Sequence, residues 1–371
     1  MHRRILFCGY YGQRNAGDDA FNAVAVWGAR KYWGVEDCAL LSSESPVLPF
    51  PVETALPARK RFRGHAHLSA FVASASRGEL VYAGGSTLHR RPRPRDFSFG
   101  HALLSRAGVC RLSAIGVSIG PFKSEKDRDG VRAFLRRFSF VGLRDRSSAR
   151  LAAELGLGMR AVETFDLAAL MPSLCGPRPR RETKTLGVSV CRYESLVGGD
   201  RGTEALRLER LAGTLLTLAR REAGLRIRLY VFNADPELGD GDVTRELFRR
   251  LRSRGALNCE LVEYDGDPLA LWRDVAGCRA LIGTRLHSAI FAYSAGVPFL
   301  LAEYHPKCGD FLETIGYEPS WRVPAGFLPP EDAARLAERL LALGGAAPTA
   351  VPPEEAARRA LLNFTEPPGW D

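Results

Sequence analysis

Short apolar runs, each closed by a glycine or a charged turn, alternate with longer helical stretches over almost the whole chain. A run of four to eight uniformly apolar residues is the pattern of a strand buried on both faces. A helix after each strand returns the chain to begin the next one parallel to it. In the first half the runs are Ile5 to Cys8, Leu80 to Ala83, Ser113 to Ile119 and Phe138 to Leu143. In the second they are Leu186 to Val190, Arg226 to Phe232, Glu260 to Tyr264, Ala280 to Ile282 and Phe299 to Ala302, with helices expected near 202–223, 241–254 and 267–276. An amphipathic stretch at 331–343 and a short helix near 353–362 close the chain.

Gly176 to Lys184 is rich in Pro and Arg and holds no apolar side chain, so it reads as a linker between two such arrays. The expected fold class is therefore α/β, with two Rossmann-like domains whose parallel sheets face a cleft, a GT-B-like arrangement. The expected bounds are 1–175, a linker at 176–184, 185–330, and C-terminal helices and tail at 331–371. A length of 371 residues suits two domains with ordinary cores.

Open α/β sheets bind ligands beyond the carboxyl ends of their strands. Arg279-Ala-Leu-Ile282 ends at Gly283-Thr-Arg-Leu-His287, and a short apolar helix is expected over Ser288 to Ala295. That spacing sets Arg285, a planar donor fork suited to carboxylate or phosphate, two residues from His287, whose ordinary pKa lies nearest neutrality. Glu303-Tyr-His-Pro-Lys307 follows the next strand on the same edge, where Lys307 either adds positive charge or sits with His305 in a plain loop. The first turn, Gly9-Tyr-Tyr-Gly-Gln-Arg-Asn15-Ala-Gly-Asp18-Asp19, precedes a helix running to about Tyr32. Asp18 and Asp19 either complement the helix dipole or, with Asn15, hold sugar hydroxyls. Gly84-Gly85-Ser86 also follows a strand and can present backbone donors, although glycine turns there are common. Arg144 follows the strand ending at Leu143, and either faces a ligand or pairs with Asp145.

Fifty-two Lys and Arg against forty-two Asp and Glu give a net charge of +10. Apart from short clusters at 59–63, 89–95 and 178–181, which read as solvated loops, the basic residues look scattered. The clusters have little aromatic interleaving and match no known nucleic-acid module, so no nucleic-acid partner is expected. The eight cysteines form no CxxC pair or zinc-ligand spacing. Asp240-Gly-Asp242 and Asp265-Gly-Asp267 look like paired metal ligands but read as ordinary turns, so no metal is expected. No apolar run approaches the roughly 20 residues of a bilayer span, and the N-terminus reads as a strand and not a signal peptide. A cytoplasmic location is expected.

The turns at Gly9 to Ala20, Gly84 to Ser86, Gly116 to Pro121, Leu143-Arg-Asp145, Gly283 to His287 and Ala295-Gly-Val-Pro298 together resemble the polysaccharide pyruvyl transferase family, over about residues 4–316. The chain departs from it in carrying two glycines after Ala83 where many relatives have three, and a charge at Arg14. The resemblance implies a GT-B-like fold. It also implies transfer of the enolpyruvyl skeleton of phosphoenolpyruvate onto two hydroxyls of a sugar, giving a cyclic pyruvate ketal and phosphate, with no cofactor. On that reading His287 is the catalytic acid/base. Arg285, Leu286, Arg144, Lys307, Gly84, Gly85 and Ser86 bind the donor in a site centred on the second domain, and Asn15, Asp18 and Asp19 bind the acceptor on the first. Family acceptors are often lipid-linked oligosaccharides, which would bring the protein to the inner face of the membrane for peripheral contact. Competing readings are a GT-B glycosyltransferase with a nucleotide-sugar donor and a noncatalytic glycan-binding relative.

Overall fold

The computed structural model describes residues 3–59, 61–177, 179, 184–343 and 348–367. The chain divides into two compact units. The first comprises Met1–Gly12, Asp18–Leu170 and Ala357–Asp371, and the second Gln13–Gly17 and Met171–Ala356.

The first unit is built on strands β1 (Arg4–Cys8), β2 (Asp37–Leu40), β3 (Glu53–Thr54), β4 (Gly78–Ala83), β5 (Arg111–Val117), β6 (Phe138–Leu143) and β7 (Ala161–Glu163). They form one parallel sheet in the order β3-β2-β1-β4-β5-β6-β7. Helices α1 (Ala16–Trp33), α2 (His65–Arg77), α3 (Phe97–Arg106), α4 (Glu125–Leu135) and α5 (Arg146–Glu154) connect the strands. Ile5, Leu6, Phe7, Leu80 and Val81 are fully buried, as expected of strands covered on both faces. The sequence gives little signal for β2, because Glu36 and Asp37 interrupt its apolar run. The structure accommodates Asp37 by pairing it with Arg4 at 2.6 Å and with Arg77.

The second unit contains α6 (Met171–Cys175), β8 (Thr185–Ser189), α7 (Glu194–Val197), α8 (Arg201–Arg221), β9 (Arg226–Tyr230), α9 (Gly241–Ser253), β10 (Cys259–Val262) and α10 (Pro268–Gly277). It continues with β11 (Ala280–Gly283), α11 (Leu286–Ser294), β12 (Phe299–Glu303), α12 (Pro306–Thr314), β13 (Val323–Pro324), α13 (Pro330–Ala342) and the start of α14 (Pro353–Thr365). Its sheet is parallel in the order β10-β9-β8-β11-β12-β13. In both sheets the strand order reverses beside the first strand, at β1/β4 and at β8/β11, which creates the crevice where such sheets take ligands.

The units depart from the expected bounds in three places. The first unit ends at Leu170 and not at 175, and α6 packs in the second unit against α10 and α11. The end of α14 belongs to the first unit. Its fully buried Asn363 accepts from the Gly116 N–H at 2.7 Å and the Thr164 hydroxyl at 3.1 Å, and donates to the Phe165 carbonyl at 3.2 Å. Gln13–Gly17 joins the second unit through an antiparallel bridge between Asn15 and Asn233, with the Ala16 N–H donating to the Phe232 carbonyl at 2.8 Å. Of the expected linker, residues 178 and 180–183 lie outside the described residues, as do Lys60 of the first basic cluster and residues 344–347 and 368–371 of the tail.

Candidate active site

In the second unit the reversal of strand order sets the chain leaving β8 beside the chain leaving β11. From β11 come Thr284, which accepts from the Cys191 N–H at 2.8 Å, and then Arg285, the N-cap residue of α11. The helix therefore begins two residues earlier than its apolar pattern suggests. Leu286 and His287 form its first turn, where backbone N–H groups lack intrahelical acceptors and favour an anion.

The His287 ring lies close against the 13–17 segment. An ideal Cβ at Gly17 would stand 2.1 Å from the His287 Nδ1, so only glycine lets the 13–17 segment approach the imidazole this closely. The same segment carries Asn15, whose Oδ1 accepts from the Gly17 N–H at 3.2 Å. Asn15 is thus tied to the His287 side of the molecule. Asp18 and Asp19 are buried in the first unit, and Asp18 Oδ1 lies 3.7 Å from where a Cβ on Gly85 would be. The three residues expected to bind the acceptor do not share a unit.

Arg285 pairs with Asp240, whose side chain is fully buried just before α9. Burial opposes the Arg285 charge, and the adjacent Asp240 carboxylate outweighs it, holding the guanidinium charged well above its ordinary range. Burial lifts the Asp240 carboxyl above the usual carboxylate range, against the pull of Arg285 and of the Asn233 N–H, which donates to it at 3.1 Å. Asp240 reads as a turn residue in sequence. It is the inner partner of the site's arginine, 45 residues away, and nothing local signals that contact.

Arg192, just past the end of β8, is a candidate site residue that the motifs of the sequence do not single out. It is half-buried, makes no hydrogen bond or ion pair among the described residues, and lines two neighbouring cavities of about 470 and 420 Å³. A cation following a strand on the edge that carries Arg285 is the sequence signal for it. The nearby Arg207 is spent on structure, bonding Glu194 at 2.9 and 2.6 Å and the Ala325 carbonyl at 2.9 Å. Burial pushes the Cys191 thiol up, so it is no nucleophile at neutral pH.

Beyond β12, His305 caps α12 by accepting from the Lys307 N–H at 3.0 Å. Burial, helped by Lys307, pushes the His305 pKa down to about 4, so its ring is neutral near pH 7. Lys307 lies in the first turn of α12.

In the first unit, Arg144 is a buried joint. It donates to Asp166 at 2.8 Å, to the Ser118 hydroxyl at 2.7 Å and to the Ser86 hydroxyl at 3.2 Å, while Asp145 stands 3.9 Å away. Its charge is answered chiefly by Asp166, with Asp145, one of the two alternatives open from the sequence, farther off. The Gly84 N–H donates to the Ile115 carbonyl at 2.8 Å, and a Cβ there would strike the Phe21 ring at 2.3 Å. Gly84 therefore serves sheet and helix packing, and its N–H is not available to a ligand. Gly85 shares the left-handed backbone of Gly84, with its carbonyl accepting from the Ser118 N–H at 2.9 Å. Among the described residues no cluster of His, Cys, Asp and Glu could hold a metal ion.

Solved structures with the same fold handle sugars. UDP-GlcNAc 2-epimerase from Methanocaldococcus jannaschii superposes with a TM-score of 0.63 at 10% identity, covering 96% of this chain and 98% of that one. The Neisseria meningitidis UDP-GlcNAc 2-epimerase bound to UDP-GlcNAc gives 0.58 at 9% identity over 99% and 98%. The lipopolysaccharide outer core galactosyltransferase WaaB in its apo form gives 0.50 at 9% identity over 98% of each chain. No curated protein matches the sequence. Two parallel-sheet α/β units with these neighbours define a protein of the GT-B fold. The polysaccharide pyruvyl transferase family model matches residues 52–306, from β3 to the start of α12. The chain belongs to that family, a family of transferases with sugar or glycan acceptors.

Proposed function

We propose that the protein transfers the enolpyruvyl skeleton of phosphoenolpyruvate to two hydroxyls of a sugar unit, forming a cyclic pyruvate ketal and releasing phosphate. The observation that carries this reading is the meeting of Arg285, the α11 N-terminus and His287 at the β8/β11 crevice, with Arg192 following β8 on the same edge of the sheet as a cation without a carboxylate partner among the described residues. Phosphoenolpyruvate presents a carboxylate and a phosphate on neighbouring atoms. Arg192, Arg285 and Lys307 supply charge for both, and the Leu286 and His287 backbone supplies donors.

The chemistry needs a group that can carry a proton. His287 delivers one to the methylene carbon, and the carbon bearing the phosphate becomes electrophilic. A sugar hydroxyl adds there, giving up its own proton. The carbon–oxygen bond to phosphate then breaks, with the electron pair leaving on phosphate, and a second hydroxyl closes the ring as its proton returns to the base or to phosphate. Asn15, placed beside Gly17 and His287, is suited to orienting a hydroxyl. Arg144 enters this scheme as a support of the first unit and not as a donor ligand.

The test is phosphate release from phosphoenolpyruvate with a panel of free and lipid-linked sugars, with mass spectrometry of the acceptor. A pyruvyl ketal on the acceptor, lost in His287→Ala, is expected. Release of nucleoside diphosphate from a nucleotide sugar, with phosphoenolpyruvate untouched, would replace this reading by a glycosyltransferase.

A further inference from the structure

The charge of the chain is not evenly spread. Residues 55–124 hold twelve Lys and Arg but only two acids, Glu79 and Asp96. That excess of ten equals the net charge of the whole protein, so the rest of the chain is balanced. Both acids are already engaged, Glu79 with Arg111 and Asp96 with Arg90 at 2.9 Å.

The same stretch contains α2 and α3, which pack against each other in the first unit. Their inner faces bury Ala70 and Ser74, and His101 and Leu104. Their outer faces are apolar where a surface helix would ordinarily be polar. Leu68, Phe71 and Val72 on α2 are 54%, 43% and 56% exposed, and Phe99 and Leu103 on α3 are 36% and 49% exposed. The two stripes meet where the Phe71 ring lies 3.3 Å from the Cβ position of Gly100. Phe62 before α2 and Val109 after α3 extend the exposed apolar surface. Neither helix contains a single carboxylate. Exposed arginines at 59, 61, 63, 90, 91, 93, 95 and 106 flank the two helices in sequence.

We propose that the α2/α3 face docks on an anionic phospholipid surface, with Leu68, Phe71, Val72, Phe99 and Leu103 entering the interface and the flanking arginines meeting lipid phosphates. Aromatic and aliphatic side chains on the outer faces, exposed arginines before and after the helices and no carboxylate within either helix match a lipid leaflet in both polarity and charge. No helix among the described residues is long and apolar enough to cross a membrane, so the contact is peripheral. The inference does not depend on the donor or on the chemistry assigned to His287.

The experiment is co-sedimentation of the full chain with vesicles of phosphatidylcholine alone and of phosphatidylcholine mixed with phosphatidylglycerol, at low and high salt. Sedimentation with the anionic vesicles only, weakened by salt, is expected. Phe71→Glu combined with Val72→Glu, and separately Arg61→Glu combined with Arg63→Glu, should each weaken vesicle partition at least about tenfold, with the circular dichroism spectrum unchanged. All four positions are exposed, so the variants keep the core intact. Failure to bind either vesicle overturns the proposal. So does binding that the Phe71/Val72 variant leaves untouched, which would mark charge adsorption without docking. A dimer that the same variant converts to a monomer also overturns it, because the face would then be covered by a second copy.

Discussion

The His287 imidazole occupies the space that a side chain on Gly17 would need, with the ideal Cβ position only 2.1 Å from Nδ1. The glycine-rich turn of the first βα unit thus sets the position of a histidine 270 residues later in the chain. Gly17→Ala should force the ring to move while leaving the backbone unstrained, since Gly17 does not use a left-handed conformation. A displacement of about 1 Å at a proton-transfer group can cost about a hundredfold in rate. A comparable fall in kcat for phosphate release from phosphoenolpyruvate, with little change in melting temperature, is expected. Wild-type kcat in Gly17→Ala would remove His287 from the chemistry or show that the ring has room elsewhere.

Asp240 and Arg285 form a largely buried pair, the Asp240 side chain fully enclosed and that of Arg285 15% exposed, and the pair should matter to stability. In Asp240→Asn the shape and the acceptor for the Asn233 N–H remain, but the Arg285 charge loses its counterion. Breaking such a pair from one side costs about 3 kcal/mol. Urea denaturation should register a loss of that order. Phosphoenolpyruvate should recover more stability in the variant than in the wild type, because its anionic groups then supply the missing countercharge.

What was legible in the sequence is what local pattern controls. The β11 run, its closing glycine and the Arg285/His287 spacing announce a strand edge and a site, and the parallel arrays follow from runs such as Ile5 to Cys8 and Leu186 to Val190. Contacts that close over long separations leave no such trace. Asp240 looks like any aspartate before a glycine, and the reach of Gly17 to His287 depends on residues 13–17 leaving their own sheet for the second unit. Asn363 looks like an ordinary helical asparagine, yet three of its bonds tie α14 to Gly116, Thr164 and Phe165. Helices α2 and α3 are hard to read for a different reason. Their outward faces are apolar, so the usual contrast between a buried stripe and a polar one is weak.

Two histidines should make the fold sensitive to mild acid. Burial holds the His101 pKa down to about 4, and burial with Lys307 nearby holds His305 there too. The unfolded chain takes up these protons near pH 6.5, whereas the folded chain resists them until about pH 4. Stability is therefore complete above pH 6.5 and falls as the pH drops towards 4, by on the order of 3 kcal/mol for the deeply buried His101 alone. Denaturation measured across this range should show the decline. His101→Phe should flatten it, and His305→Asn should flatten it further while keeping a side-chain cap on α12. A decline as steep in both variants as in the wild type would assign the acid sensitivity to carboxylates instead.

Arg144 separates a structural arginine from a donor-binding one. It is 8% exposed and bonded to Asp166, Ser118 and Ser86, and its guanidinium lies 6.0 Å from the Phe21 ring centre. Burial raises the Asp166 carboxyl while Arg144 opposes the shift, so removing Arg144 strands a carboxylate in the interior. Arg144→Met should cost about 4 kcal/mol, as expected when one member of a buried pair is deleted. Adding Asp166→Asn removes the stranded charge and keeps the acceptor that the Ala168 N–H uses at 2.9 Å, so the double variant should recover at least half of the loss. The same double variant decides the role of Arg144 in the reaction. With the fold restored, its KM for phosphoenolpyruvate should match the wild type if Arg144 only braces the edge of the first sheet, whereas a KM raised tenfold or more would return Arg144 to the donor site.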